Sequence, residues 1–213
     1  MKMKYTHVLW DFNGTIYDDA DASRKATNVL LKDRGLKQIE TIEQLRDKFC
    51  FPVKDYYKLL GFDYTKDSYE DIAVKWSVLY NEFSKSSGLV DGVSDVITKL
   101  DELGYVQSII SASEYNLLRA KLSVLGIDRA FADISGTADN NAHSKIQIAL
   151  DWRKYNPNAV AVVIGDTTHD YEVASAIHAD CVLYSGGFVS RSRLEQCGCP
   201  VIDSFNEIWP YIN

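Results

Sequence analysis

Val8-Leu9-Trp10-Asp11-Phe12-Asn13-Gly14-Thr15-Ile16 couples an apolar run to an aspartate and a Gly-Thr turn. That pattern predicts a buried strand presenting a carboxylate at its C-terminal tip. In open α/β sheets such a tip is where ligands bind. Taken alone, the same residues also describe a surface Asx turn closing a strand. Residues far downstream decide between the two.

Directly after Ile16 the pattern turns helical. Ala22, Ala26, Val29 and Leu30 keep a helical spacing between Asp18 and Leu36, with a stop at Gly35. Thr41 and Gln44 form a capping box for a second helix through Leu45 and Phe49. Pro52 opens a third, with Val53, Tyr56, Tyr57 and Leu60 ahead of Gly61. Ser68 begins a fourth, striped by Ile72, Trp76, Leu79, Tyr80 and Phe83. Four helices with no strand between them predict a small bundle, and Ser84 to Gly88 reads as a linker leaving it.

From Leu89 onward helix and strand alternate. Strands are predicted at Tyr105 to Ser111, Phe131 to Ser135, Ala159 to Ile164 and Cys181 to Tyr184. Between them lie helices marked by Leu117, Leu118 and Leu122, by Ser144 and Gln147 as a cap, and by the run after Asp170. Repeated βα units predict an α/β fold with a Rossmann-like, doubly wound parallel sheet. The core spans residues 1–16 and 88–213, and residues 17–87 form a helical insertion.

A length of 213 residues and 46% hydrophobic content suit one such core with one insertion. A formal net charge of -7 argues against nucleic acid as the partner. No signal peptide opens the sequence and no apolar run reaches membrane-spanning length, so a soluble, cytoplasmic protein without membrane contact is expected. Cys197-Gly-Cys199 is too tight for zinc and lacks a second pair, so Cys50, Cys181, Cys197 and Cys199 are expected as free or buried thiols.

Three strand ends offer complementary polar groups: Asp11, Ser111, and Gly165-Asp166-Thr167-Thr168-His169-Asp170. Lys145 opens a helix, where the dipole disfavours a cation, so it is better explained as reaching toward an anion. Asp11, Asp166 and Asp170 at one sheet edge would repel each other unless they shared a cation, and oxygen ligands of this kind suit magnesium with a substrate phosphate. Asp11 can then act as nucleophile through an aspartyl-phosphate. Ser111 and Lys145 would hold the phosphoryl oxygens, while the amides of the Phe12 to Thr15 turn, Gly14 and Thr15 among them, and the metal absorb transition-state charge. Singly, Ser111 is a strand-end cap, Lys145 a solvated residue and Gly165-Asp166 a turn.

Together, Asp11-Phe-Asn-Gly-Thr15, Ser111, Lys145 and Gly165-Asp-Thr-Thr-His-Asp170 resemble the four motifs of the haloacid dehalogenase superfamily, in the subfamily with a helical cap after the first motif. Val90-Asp-Gly-Val93 and Phe49-Cys-Phe-Pro-Val-Lys54-Asp-Tyr-Tyr57 are similar to phosphoglycolate phosphatase-like members. The resemblance implies a strand order of 5-4-1-2-3, magnesium-dependent phosphotransfer through Asp11, and a cap over the site. It also implies metal ligation by Asp11, Asp166, Asp170 and the backbone carbonyl of Asn13.

Asn13 departs from that pattern. Phosphatases of this family carry at this position an aspartate that acts as general acid and base, a contribution typically worth ~10²–10⁴-fold. An amide cannot transfer a proton, so slow turnover is expected unless His169 or Asp18, the nearest candidates in sequence, substitutes. His169 also reads as a surface residue at a helix start, and Asn13-Gly14 is a deamidation-prone pair. In the insertion, Lys54, Tyr56 and Tyr57 are open to two readings. They sort substrates, with Lys54 meeting a second anionic group, or the tyrosines pack and Lys54 is solvated. Arg46 reads as a surface helix residue, and Gly186-Gly187 as a loop beside the site without chemistry. The expected function is a magnesium-dependent phosphatase of a small phosphorylated metabolite. The alternative is a weakened relative that only binds such a ligand. A signalling receiver domain is disfavoured because it has no place for the insertion.

Overall fold

The computed structural model describes residues 3–137 and 142–212. Its centre is β1 (His7–Trp10), flanked by β2 (Val106–Glu114) and β4 (Ala161–Gly165). With β3 (Asp133–Thr137), β5 (Asp180–Tyr184) and β6 (Val201–Ile202) they form one parallel sheet in the order β3-β2-β1-β4-β5-β6. The five core strands thus take the expected order, and β6 adds an edge strand the sequence reading did not contain. At two residues β6 is too short to show a period.

Side chains alternate across this sheet, as strand geometry requires. Val8 and Trp10 join Val162 and Ile164 in one apolar cluster, while Leu9 and Val163 join another on the opposite face. Burying a side chain of this size contributes about 1.5–3 kcal/mol, so β1 is anchored from both sides. The one polar intrusion beneath it is satisfied: Trp10 Nε1 donates to Gln107 Oε1 at 3.1 Å, and Gln107 Nε2 to the Ile97 carbonyl at 2.9 Å.

Between β1 and the next core helix stand α1 (Ala20–Asp33), α2 (Ile42–Lys48), α3 (Val53–Leu59) and α4 (Tyr69–Phe83). Thr41 caps α2 through the Gln44 amide, but the Gln44 side chain reaches back to the Glu40 amide rather than to Thr41. Ser68 caps α4 through the Asp71 amide at 3.0 Å. The chain leaves and returns side by side: Asp18 N–H donates to the Gly88 carbonyl and Val90 N–H to the Ile16 carbonyl, both at 2.9 Å. Ser84–Ser86 is a 3₁₀ turn rather than a loose linker, because the Tyr17 hydroxyl docks on the carbonyl of the buried Ser84.

The remaining helices that position the site are α5 (Val93–Glu102), α6 (Tyr115–Leu125), α7 (Ala142–Tyr155) and α8 (Thr168–Ala176). β2 runs past Ser111 to Glu114, and its pairing with β3 shifts between Ile110 and Glu114. Ser111 therefore lies within an irregular strand end rather than capping it. Helix α7 begins at Ala142, so Ser144 falls inside its first turn and its side chain lies outside the described residues. Helix α8 begins before Asp170, not after it. The four cysteines are free thiols. Among the described residues no helix is long and apolar enough to cross a membrane.

Candidate active site

The C-terminal ends of β1 and β4 lie side by side, at the point where the chain order reverses across the sheet. β1 delivers Asp11 there, β4 delivers Asp166, and the first turn of α8 delivers Asp170. One carboxylate oxygen from each lies within 4.8 Å of the others, and all three residues are buried. Among the described residues no other group of His, Cys, Asp and Glu side chains is arranged to hold a metal ion.

Each carboxylate is held by neighbours. Asp170 Oδ2 accepts from the Thr167 amide at 3.0 Å and the Thr167 hydroxyl at 2.8 Å, where the α8 dipole also favours an anion. Asp166 accepts from the Thr15 hydroxyl at 2.9 Å and the Phe188 amide at 2.7 Å. Lys145, in the first turn of α7, bridges Asp170 Oδ1 at 2.6 Å and Asp11 Oδ1. This buried ammonium is placed against the helix dipole because two carboxylates hold it.

The charge balance remains negative, with three carboxylates around one ammonium. Burial pushes the Asp11 carboxyl up to about 6, with Lys145 opposing and Asp170 reinforcing. Burial and then repulsion from Asp11 and Asp170 raise Asp166 well above the usual carboxylate range. Burial would raise Asp170 too, but Lys145 and Thr167 outweigh it and hold it low. An oxygen-only donor set with excess negative charge fits a hard divalent cation.

Gly14 is obligatory in this geometry. Its φ is +77°, and a Cβ would collide with Asp166 Oδ2 and the Phe188 ring. Its amide donates to Asp19 Oδ1 at 2.8 Å and to the Tyr17 carbonyl at 2.9 Å, while the Thr15 amide faces the Phe12 carbonyl at 3.3 Å. The expected phosphate grip by the Gly14 and Thr15 amides is therefore not what this arrangement offers. The tight turn consumes them internally, and Thr15 serves Asp166 instead.

Asn13 is enclosed by partners the sequence reading missed. Its Nδ2 donates to Asp19 Oδ2 at 2.7 Å and to the Tyr80 hydroxyl at 2.9 Å, and its Oδ1 accepts from Ser113 at 2.5 Å. The Tyr80 hydroxyl donates in turn to Asp19 and accepts from Lys121 Nζ at 3.1 Å. The carboxylate beside Asn13 is thus Asp19. Asp18 is exposed, and His169 is buried against the Phe51 ring with Nδ1 2.7 Å from Glu172. His169 is therefore no surface residue, and neither it nor Asp18 lines the cavity that Asp11 opens into.

That cavity, of about 700 Å³, extends from Asp11, Ser111 and Lys145 to Lys54 and Tyr57. Ser111 is buried at its floor, its Oγ accepting from the Ser113 amide at 3.1 Å. Lys54 Nζ lies 5.3 and 5.8 Å from the ring centres of Tyr64 and Tyr69, and Tyr57 packs on Tyr56, Phe62 and Tyr69. Arg46 is no mere surface residue, since its guanidinium holds the carbonyls of Gly186 and Gly187. That loop presents Phe188 N–H to Asp166, so it forms part of the wall.

Residues 8–184 match the family described as haloacid dehalogenase-like hydrolase. A protein of Caldanaerobacter subterraneus subsp. tengcongensis described as a candidate pyrophosphatase, PpaX, is 26% identical over 174 residues, covering 79% of this chain and 76% of that one. Among solved structures, protein tyrosine kinase A of Mycobacterium tuberculosis superposes with a TM-score of 0.79 at 20% identity over 97% of both chains. A candidate phosphoglycolate phosphatase of Lactobacillus delbrueckii subsp. bulgaricus superposes with a TM-score of 0.76 at 17% identity, again over 97% of both. Structural neighbours named for opposite reactions share this fold, so the fold does not select the reaction.

Proposed function

We propose that this chain, which belongs to the haloacid dehalogenase-like hydrolase family, is a magnesium-dependent phosphatase acting on a small phosphorylated metabolite through an aspartyl-phosphate on Asp11. The observation that carries this reading is the buried cluster of Asp11, Asp166 and Asp170 closed by Lys145. The names of the pyrophosphatase relative and the phosphoglycolate phosphatase neighbour point the same way.

On this reading an Asp11 carboxylate oxygen attacks phosphorus, the ester P–O bond breaks, and the leaving oxygen takes a proton. Water then attacks the phosphoryl group, releasing phosphate and restoring the carboxylate. Lys145 keeps Asp11 ionised and, with Ser111, faces the phosphoryl oxygens. Magnesium held by Asp11, Asp166, Asp170 and the Asn13 carbonyl would supply positive charge to the transferring group. Residues 1–16 and 88–213 act as the catalytic core and 17–87 as a cap, a division supported by the adjacent chain crossings at Ile16 to Asp18 and Gly88 to Val90. Lys54 and Tyr57 meet the distal part of the substrate.

One observation favours a second reading, a weakened member that binds a phosphorylated ligand. Asn13 carries an amide, which transfers no proton, and Asp19 and Tyr80 hold it in place, so no general acid stands at that position. Phosphate release from a metabolite panel, with and without magnesium and with Asp11→Asn as the blank, separates the two. The phosphatase reading expects magnesium-dependent release that the variant lowers by at least about 10³-fold. Equal activity in the variant, or full activity in excess chelator, would sink it.

A further inference from the structure

The cavity in front of Asp11 is built for more than a two-carbon phosphate. Its volume of about 700 Å³ falls within the roughly 300–1,000 Å³ typical of sites for drug-sized ligands. Phe49, Phe51, Val53, Tyr57 and Trp76 line it, and the rim carries Val74 and Leu117, which are 65% and 48% exposed. A small anionic ester held at Asp11 and Lys145 would leave these walls facing water.

The cationic groups at the cavity already have partners. Lys145 is bound to two carboxylates, Lys121 lies on the Tyr17 and Tyr80 rings and bonds the Tyr80 hydroxyl, and Lys54 lies over Tyr64 and Tyr69.

We propose that the substrate is a phosphate monoester whose leaving group carries a planar aromatic ring, lodged between the aromatic walls. This rests on the phosphatase reading of the same site. Aromatic rings favour aromatic surroundings through offset and edge-on packing as well as through area buried. A neutral, flat body matches walls that are aromatic and cations that are already paired.

The experiment compares benzyl phosphate with ethyl phosphate, both primary alkyl esters, so that leaving-group chemistry is nearly matched. In parallel, benzylphosphonate and methylphosphonate are titrated calorimetrically into the magnesium-loaded protein, which reads binding without turnover. The aromatic member should bind about 10–100-fold more tightly in both series. Ala73→Trp, which fills the cavity from α4, and Phe51→Ala, which removes a wall, should each erase most of that preference, lowering benzylphosphonate affinity far more than methylphosphonate affinity. Equal affinity for the two phosphonates would overturn the proposal. Tighter binding of benzylphosphonate with no ester hydrolysed would uphold the ligand class and overturn the phosphatase reading instead.

Discussion

The floor and the walls of the cavity are built by opposite means. At the floor, Lys145 joins Asp11 and Asp170 through charged hydrogen bonds, and Asp166 is held by the Thr15 hydroxyl and the Phe188 amide. The walls are held by ring packing: Phe49 to Tyr56 at 5.1 Å, Tyr56 to Tyr57 at 5.7 Å, and Trp76 stacked on Tyr80 at 4.7 Å. Charge networks tolerate no missing member, because an unpaired buried charge is left behind. Packed rings tolerate exchange when volume is kept. On the proposed reading, the floor therefore sets whether the reaction occurs, and the walls set on what.

Replacing one lysine in each region should break that contrast open most widely. Lys145→Ala leaves three buried carboxylates without their ammonium, which should lower stability by about 3–5 kcal/mol. It should also cut kcat/KM by ~10²–10³-fold for every substrate, the usual loss of one charge-stabilising donor. Lys54→Ala removes a cation that rests near the Tyr64 and Tyr69 rings and, on the proposed reading, meets the distal part of the substrate. It should leave kcat intact and reorder substrates through KM. Thermal melts and kinetics on the same panel check both, and equal uniform losses would contradict the division.

A smaller effect comes from pH. Asp11 is raised to about 6 and Asp166 is raised as well, so the metal-free protein retains protons there that the unfolded chain sheds at lower pH. The stability Asp11 contributes is present at low pH and is lost as pH rises through about 6, and Asp166 acts with the same sign. Asp170 has the opposite sign, since its lowered pKa supports the fold until acid protonates it. On the proposed reading magnesium would displace protons from Asp11 and Asp166. Its apparent affinity should weaken by at least about tenfold per pH unit below the Asp11 value, because more than one carboxyl gives up a proton. Its thermal stabilisation should be larger at pH 7.5 than at pH 5, and equal melting shifts at the two pH values would count against the metal site.

The floor was legible in the sequence because each part ends a strong local pattern. Asp11 closes an apolar run, Asp166 follows the valine-rich β4, and Lys145 stands at a helix start where a cation needs a reason. The walls were half legible: the stripes of α1 and α4 gave the helices but not their shared cavity. What stayed hidden depends on contacts between residues far apart in the chain. Tyr80 lies 67 positions from Asn13, and Phe188 lies 22 from Asp166. Arg46 and the Gly186-Gly187 carbonyls are about 140 apart. Sequence distance also misled about the proton: Asp18 was named and faces solvent, whereas its neighbour Asp19 points to Asn13, because one residue's step at a helix start changes the face.

Asn13→Asp carries the smallest expected change, and the reason lies in Asp19. From the missing general acid alone, restoring a carboxylate should raise turnover by ~10–10³-fold. In the folded protein, however, the new carboxylate would stand where Asn13 Nδ2 now donates to Asp19 at 2.7 Å. Two carboxylates at that distance share one proton, and neither titrates as an isolated acid. Asp19 is already pushed up by burial, with Tyr80 and Asn13 opposing, and loss of the Asn13 donor removes part of that opposition. The single variant should therefore gain less than about tenfold, while Asn13→Asp combined with Asp19→Asn should recover most of the general acid–base contribution. Deamidation of Asn13 is a weaker confounder than the Asn-Gly pair implies, because the attacking Gly14 nitrogen is tied to Asp19 and the Tyr17 carbonyl. Intact mass of the assayed sample verifies that point. If the single variant reaches the full gain and Asp19→Asn adds nothing, Asp19 is a bystander and the proton comes from elsewhere in the cavity.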